Sequence, residues 1–158
     1  MPSRRRDFTL LAGCLLLAFV PATTGFLIRP DAWYFDELKK PAWTPPPWIF
    51  GPAWTLLYAL QGVALWRVLR AGPFTATFPA LMAFGAQWIL NALWTPLFFG
   101  ARRVDLALID VVLLAAAIAF TIRRFAPFSR AAAWMLAPYL AWTLFAAALN
   151  GAIFAMNG

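Results

Sequence analysis

Five apolar stretches, each long enough to cross a lipid bilayer, narrow the folds open to this 158-residue chain more than any other feature. They fall at about 8–28, 48–68, 78–99, 104–122 and 131–156. At 1.5 Å per residue, about 20 helical residues rise roughly 30 Å, which matches the hydrocarbon core of a membrane. The expectation is an all-α membrane protein: one domain, a bundle of five transmembrane helices, with a long first loop at 29–47. The remaining connections are short and predict neighbouring helices packed antiparallel.

Composition agrees with a multi-pass integral membrane protein. Hydrophobic residues make up 63% of the chain and charged residues 12%, against about one half and one quarter in soluble domains. The net charge of +7 does not point to nucleic acid, because the basic residues sit in small groups between the apolar stretches rather than on one hydrophilic surface. They read as anchors at the headgroup level. Arg4, Arg5, Arg6, Arg67, Arg70, Arg123, Arg124 and Arg130 fall on one side, and Arg29, Lys39, Lys40, Arg102 and Arg103 on the other. That imbalance favours a cytoplasmic N-terminus and an external C-terminus. The arginines before the first stretch also resemble a secretory signal, but the run is long for a signal core and no small-x-small cleavage site closes it.

Histidine is absent and Cys14 is the sole cysteine. The commonest metal ligand, the usual general base and any internal disulfide are therefore missing. Cys14 lies within an apolar run and reads as a small buried hydrophobe. Nucleophilic triads, zinc sites and histidine-ligated haem have no parts here.

Chemistry must then come from the few polar and the many aromatic residues. Gln87, Asn91, Thr95 and Asn150 lie inside stretches, where an unpaired polar group costs several kcal/mol; pairing between helices is the plain explanation for each. Their placement adds to it. Trp54 and Tyr58 share a face near the start of the second stretch. Trp88, Asn91 and Thr95 share one near the end of the third, and Tyr139, Trp142 and Ala146 one on the fifth. With alternating directions, these faces meet in one half of the bilayer beneath the long loop. A cavity of indoles, a phenol and an amide, with room left by Ala146 and Ala147, suits a flat apolar ligand. Arg29, Lys39 and Lys40 at its mouth can meet carboxylates or, as readily, lipid headgroups. Of the nine tryptophans, Trp66, Trp88 and Trp134 are the first choices for belt or lipid-facing positions. Asp105 reads as interfacial. Asp110 lies deeper and has two readings, a pair with Arg102 or Arg103, or a residue lining a pathway.

Four segments carry a resemblance: PATTG at 21–25, WYFDELKKPAWTPPPWIFGPAWTLLY at 33–58, NALWTPLFF at 91–99 and PYLAW at 138–142. Together they resemble the TspO/MBR family, which includes the bacterial tryptophan-rich sensory proteins and the mitochondrial translocator protein or peripheral-type benzodiazepine receptor. The long loop followed by GPAWTLLY is the specific element. The resemblance implies a five-helix bundle, often a homodimer, with a loop-capped pocket for porphyrin, haem and isoquinoline or benzodiazepine compounds, and with sterol as a further ligand. No obligatory cofactor is implied.

Matched motif by motif, the implied pocket residues are Tyr34, Trp54, Asn91, Trp94 and Trp142, with Ala146 where a bulkier side chain alters binding; Tyr58 joins them from the face analysis. The resemblance leaves three roles open: a tetrapyrrole sensor, which leads, a porphyrin or sterol transporter, and a light-dependent porphyrin-degrading enzyme using Trp54 and Trp142. One departure concerns sterol. Family members noted for cholesterol have Leu, Tyr and a basic residue late in the fifth helix, whereas here Leu149 is followed by Asn150 and Gly151 and by no Lys or Arg. That argues against sterol binding by this route.

Overall fold

The structure, a computed structural model, describes residues 4–158. In chain order the helices are α1 (Arg4–Phe19), α2 (Ala22–Leu27), α3 (Phe50–Ala71), α4 (Phe74–Thr95), α5 (Val104–Phe125), α6 (Arg130–Met135) and α7 (Ala137–Asn157). Among the described residues, four helical units are long and apolar enough to cross a membrane: Pro47–Ala71, Phe74–Gly100, Val104–Phe125 and Arg130–Asn157. They hold the second to fifth apolar stretches and extend each by a few residues.

The first expected stretch divides at Pro21, which has no N–H to continue the helix. α1 stops at Phe19 after 16 residues and α2 resumes at Ala22 for only six. The Thr23 and Thr24 hydroxyls donate to the carbonyls of Val20 and Pro21 at 2.7 and 2.8 Å, satisfying acceptors at the break.

Proline also sets the start of α3. Pro46 is extended, with φ −56° and ψ 142°, and Pro47 opens a single tight turn through Ile49 that runs directly into the helix, as the sequence leads one to expect. α4 begins four residues before the expected boundary and carries Pro79 in its second turn, where the lost backbone bond falls close to the helix end. After α4 the helix widens over Pro96–Gly100. The turn into α5 closes with Arg102 at φ 54°, a left-handed conformation uncommon outside glycine.

α1 packs on α3, and α5 packs on both α4 and α7. α1 and α3 come close at Gly62, where a Cβ would stand 2.8 Å from Leu15 Cα. One buried cluster, including Leu65, Phe84, Ile118 and Phe125, fills the end of the bundle near the start of α1. A second gathers Phe98, Ala107, Leu149 and Ile153 at the other end and takes in Leu38 from the loop. The outer faces remain apolar, with Leu16 73% and Trp134 76% exposed, as helices facing lipid require.

Bonds within the loop shape it, and contacts from Arg102 and Asn157 hold it down. Trp33–Glu37 forms one wide helical turn, whose Leu38 N–H caps the Trp33 carbonyl at 2.9 Å. Asp31 pairs with Arg102 at 2.8 Å, and the same guanidinium lies 5.6 Å from the Trp33 ring centre. Lys40 Nζ donates to the carbonyls of Tyr34 and Leu38. Finally, Asn157 at the end of α7 brackets Lys39: its Oδ1 accepts from the Lys39 N–H at 3.0 Å and its Nδ2 donates to the Lys39 carbonyl at 2.9 Å.

Candidate functional site

Beneath the loop lies a cavity of about 720 Å³, within the range of small-molecule sites. Its wall draws on the end of α1, on α2, the loop, the start of α3, the end of α4, α5 and the stretch of α7 from Trp142 to Ile153. All seven residues singled out from the sequence, Tyr34, Trp54, Tyr58, Asn91, Trp94, Trp142 and Ala146, line it. Antiparallel helix direction brings them to one level.

The aromatic side chains form two stacked pairs. Trp54 lies on Tyr58 with ring centres 5.3 Å apart and planes at 27°, four residues apart on one face of α3. Trp94 lies on Phe98 at 4.9 Å and 20°. Trp142 and Phe145 stand 5.8 Å apart, and Phe50 meets Trp142 edge-on at 5.8 Å. From the loop, Tyr34 packs against Phe99 at 5.3 Å and Trp43 against Phe145 at 5.8 Å. Flat faces of this kind suit a planar ligand, each contact adding about 0.5–1.5 kcal/mol beyond burial.

Polar groups are few and mostly committed. Tyr58 Oη donates to Asn91 Oδ1 at 2.8 Å. Trp94 Nε1 donates to Asn150 Oδ1 at 3.2 Å, while Asn150 Nδ2 donates to the Val104 carbonyl at 3.0 Å and so ties α4, α5 and α7 together. Thr143 lines the same wall with its buried Oγ1 unpartnered. Arg29 is the cation in the wall; its Nε reaches only the Phe26 carbonyl, at 3.4 Å. Lys39 and Lys40, expected at the mouth, do not line the cavity: Lys40 is held by loop carbonyls and by the Tyr34 ring, 4.5 Å away. Burial pushes the Tyr34 phenol above its ordinary value, so it stays a neutral donor.

Several expectations need correction. Trp88 is neither a belt residue nor part of the Asn91 face. Its Nε1 donates to the Leu17 carbonyl at 2.8 Å, joining α4 to α1 at the place where the break in the first segment begins. Trp66 is half-buried, donates to Asp7 at 3.3 Å and stacks under Arg70. Of these three, Trp134 alone is exposed. Tyr139 is fully buried below the cavity rather than in its wall, meeting Trp54 edge-on at 6.1 Å. Asp110 pairs with neither expected arginine, because Arg102 goes to Asp31 and Arg103 to Asp105. Its Oδ2 is buried without a partner. Gln87 donates to Gln61 at 3.3 Å, the plain interhelical pairing.

Sequence reasoning missed the phenylalanines. Phe19, Phe26, Phe50, Phe98, Phe99 and Phe145 all line the cavity. The available signal was helical spacing: Phe98 is four residues after Trp94, and Phe145 is three after Trp142.

The model of the TspO/MBR family matches residues 10–156. The chain belongs to the TspO/MBR family. Among TspO/MBR relatives, a tryptophan-rich sensory protein of Cereibacter sphaeroides is 40% identical over 144 residues, covering 91% of this chain and 89% of that protein. A tryptophan-rich protein TspO of Chlorobaculum tepidum is 39% identical over 145 residues, 91% and 90% of the two chains. The translocator protein of Homo sapiens is 39% identical over 128 residues, 79% and 75% of the two. With four apolar helices of membrane-crossing length, this TspO/MBR member is an integral, multi-pass membrane protein.

Proposed function

We propose that this TspO/MBR protein is a membrane receptor for flat tetrapyrroles, porphyrin or haem, held in the cavity beneath the first loop. The observation that carries the reading is the convergence of stacked indole, phenol and phenyl faces from α3, α4 and α7 on one space of about 720 Å³. Burial of the macrocycle faces supplies most of the affinity, since micromolar binding takes about 8 kcal/mol and the polar wall is largely self-paired. Arg29 is the group suited to a propionate. The residues fit such a ligand as an apolar plane with an anionic edge; they offer haem iron no histidine.

The same reading takes α1 and α2 together as a fifth crossing. Residues 4–27 rise roughly 36 Å in helical form, and the Trp88 bond to Leu17 holds the kink against α4.

Titration of the detergent-solubilised protein with protoporphyrin, followed by quenching of tryptophan fluorescence, tests the proposal. Quenching that saturates in the wild type and weakens in Trp54→Phe and Trp142→Phe supports it. Titrations that do not change in either variant reject it. A transport reading has one observation in its favour, the unpartnered acid Asp110 inside α5; binding without porphyrin flux in sealed proteoliposomes rejects that alternative.

A further inference from the structure

A second concavity, of about 840 Å³, opens between α1 and α3 at the end of the bundle opposite the cavity. It has a charged rim and an apolar depth. Arg6, Asp7 and Arg70 stand at the rim, and the lining continues along buried Leu65 and, on the open side, Leu10 and Leu17, 38% and 45% exposed. From Arg6 to Leu17 the helix rises roughly 16 Å, about half the hydrocarbon thickness. Gly13 lines it beside open space, where a Cβ would meet nothing within 4 Å. At Gly62 the same two helices touch beside Cys14 and Leu15, within the length of the groove.

The rim is organised. Asp7 Oδ1 accepts from Arg70 Nε at 3.0 Å and from Trp66 Nε1 at 3.3 Å, and the Arg70 guanidinium lies 4.8 Å from the Trp66 ring centre. Arg70 is thus fixed by its Nε, leaving its terminal nitrogens for another acceptor. Arg6 makes no ion pair among the described residues. The surrounding face adds Arg4, Arg5, Arg67, Arg123, Arg124 and Arg130, against Asp7 alone as an acid.

We propose that this groove is a binding site for an anionic phospholipid, with an acyl chain along Leu10, Gly13 and Leu17 and the phosphate between Arg6 and Arg70. The apolar depth calls for an alkyl chain and the rim for an anion, and one molecule supplies both. A second copy of this chain fits poorly, because a two-fold contact here sets the same arginines against each other.

Native mass spectrometry of the whole protein in neutral detergent, with equal amounts of phosphatidylglycerol and phosphatidylcholine of matched acyl chains, tests the site. Phosphatidylglycerol is retained preferentially, and Arg6→Gln lowers that preference about fivefold, the effect of one basic residue near a membrane surface. Arg4→Gln, outside the groove, changes it much less. Gly13→Leu, which meets open space and preserves the fold by circular dichroism, reduces retention of both lipids. Four results overturn the proposal: equal retention of the two lipids by the wild type; an Arg4→Gln effect as large as that of Arg6→Gln, which marks a diffuse surface field; displacement of phosphatidylglycerol by glycerol 3-phosphate, which marks a headgroup-only site; or a Gly13→Leu variant that loses a dimer while keeping its lipid.

Discussion

Tyr58 donates its phenolic proton to Asn91 Oδ1 at 2.8 Å, across the seam between α3 and α4 and at the wall of the cavity. The bond engages the amide oxygen, so Nδ2 is the part of Asn91 left for a ligand acceptor. Tyr58→Phe frees the amide to rotate. The expected loss is about 0.5–2 kcal/mol of stability, read by thermal unfolding in detergent, and ligands bearing a carbonyl or carboxylate weaken more than purely apolar ones.

Ala146 lies in the α7 wall among Trp142, Phe145 and Leu149. Replacing it with Phe adds a ring where the cavity has room, so unfolding temperature changes little while porphyrin affinity falls by about tenfold or more, a cost of about 1.4 kcal/mol. A fluorescence titration of Ala146→Phe against the wild type measures it; equal affinities argue that ligand lies elsewhere.

Gly62 permits the contact between α1 and α3. An Ala Cβ there would stand 2.8 Å from Leu15 Cα, a backbone atom that cannot swing aside. Gly62→Ala is expected to cost about 1–3 kcal/mol through overpacking. Gly13→Ala, in open space on α1, is expected to gain up to about 1 kcal/mol from helix propensity. The two melts should move in opposite directions.

Asp31 is an exposed acid that ties the loop to the turn before α5. Partial burial raises its carboxyl, but the Arg102 hydrogen bond and charge outweigh this and leave it below its ordinary 3.8. A depressed folded-state value means the tether is fully present above about pH 4 and is lost as pH falls through the lower, folded-state value. Acidification below pH 4 should loosen the loop and alter the emission of Trp33, which sits under the same guanidinium. Asp31→Asn should show the loosened spectrum at neutral pH and no further acid step.

Much of this arrangement was legible from hydrophobic runs and their alternating direction, because in a bilayer the length of an apolar run and the face of a polar residue leave few alternatives. Trp54, Tyr58, Asn91, Trp142 and Ala146 at the cavity follow from that, whereas Tyr34 and Trp94 were implied only by the family resemblance. What was not legible has separate causes. Residues 21–25 read as a polar, kinkable helix end, but hydropathy alone is blind to the missing N–H that divides the run at Pro21. Trp88 was misplaced because an indole suits both a lipid interface and a buried carbonyl, and only the kinked partner offering the Leu17 oxygen decides between them. The arginines near Asp110 were taken by acids that lie closer to them, Asp31 from a distant loop and Asp105 two residues from Arg103, so sequence proximity to a buried acid carried little weight.

The bracket between Asn157 and Lys39 bears on how this region can vary among descendants of the chain. Asn157 grips only main-chain atoms of residue 39, so the side chain at 39 can drift freely without disturbing the grip. Position 157 has no such freedom. It needs a short group that offers a hydrogen and a lone pair from two separate atoms, which Asp, Ser or Ala cannot supply, and mutational tolerance at these two touching positions should therefore be sharply unequal.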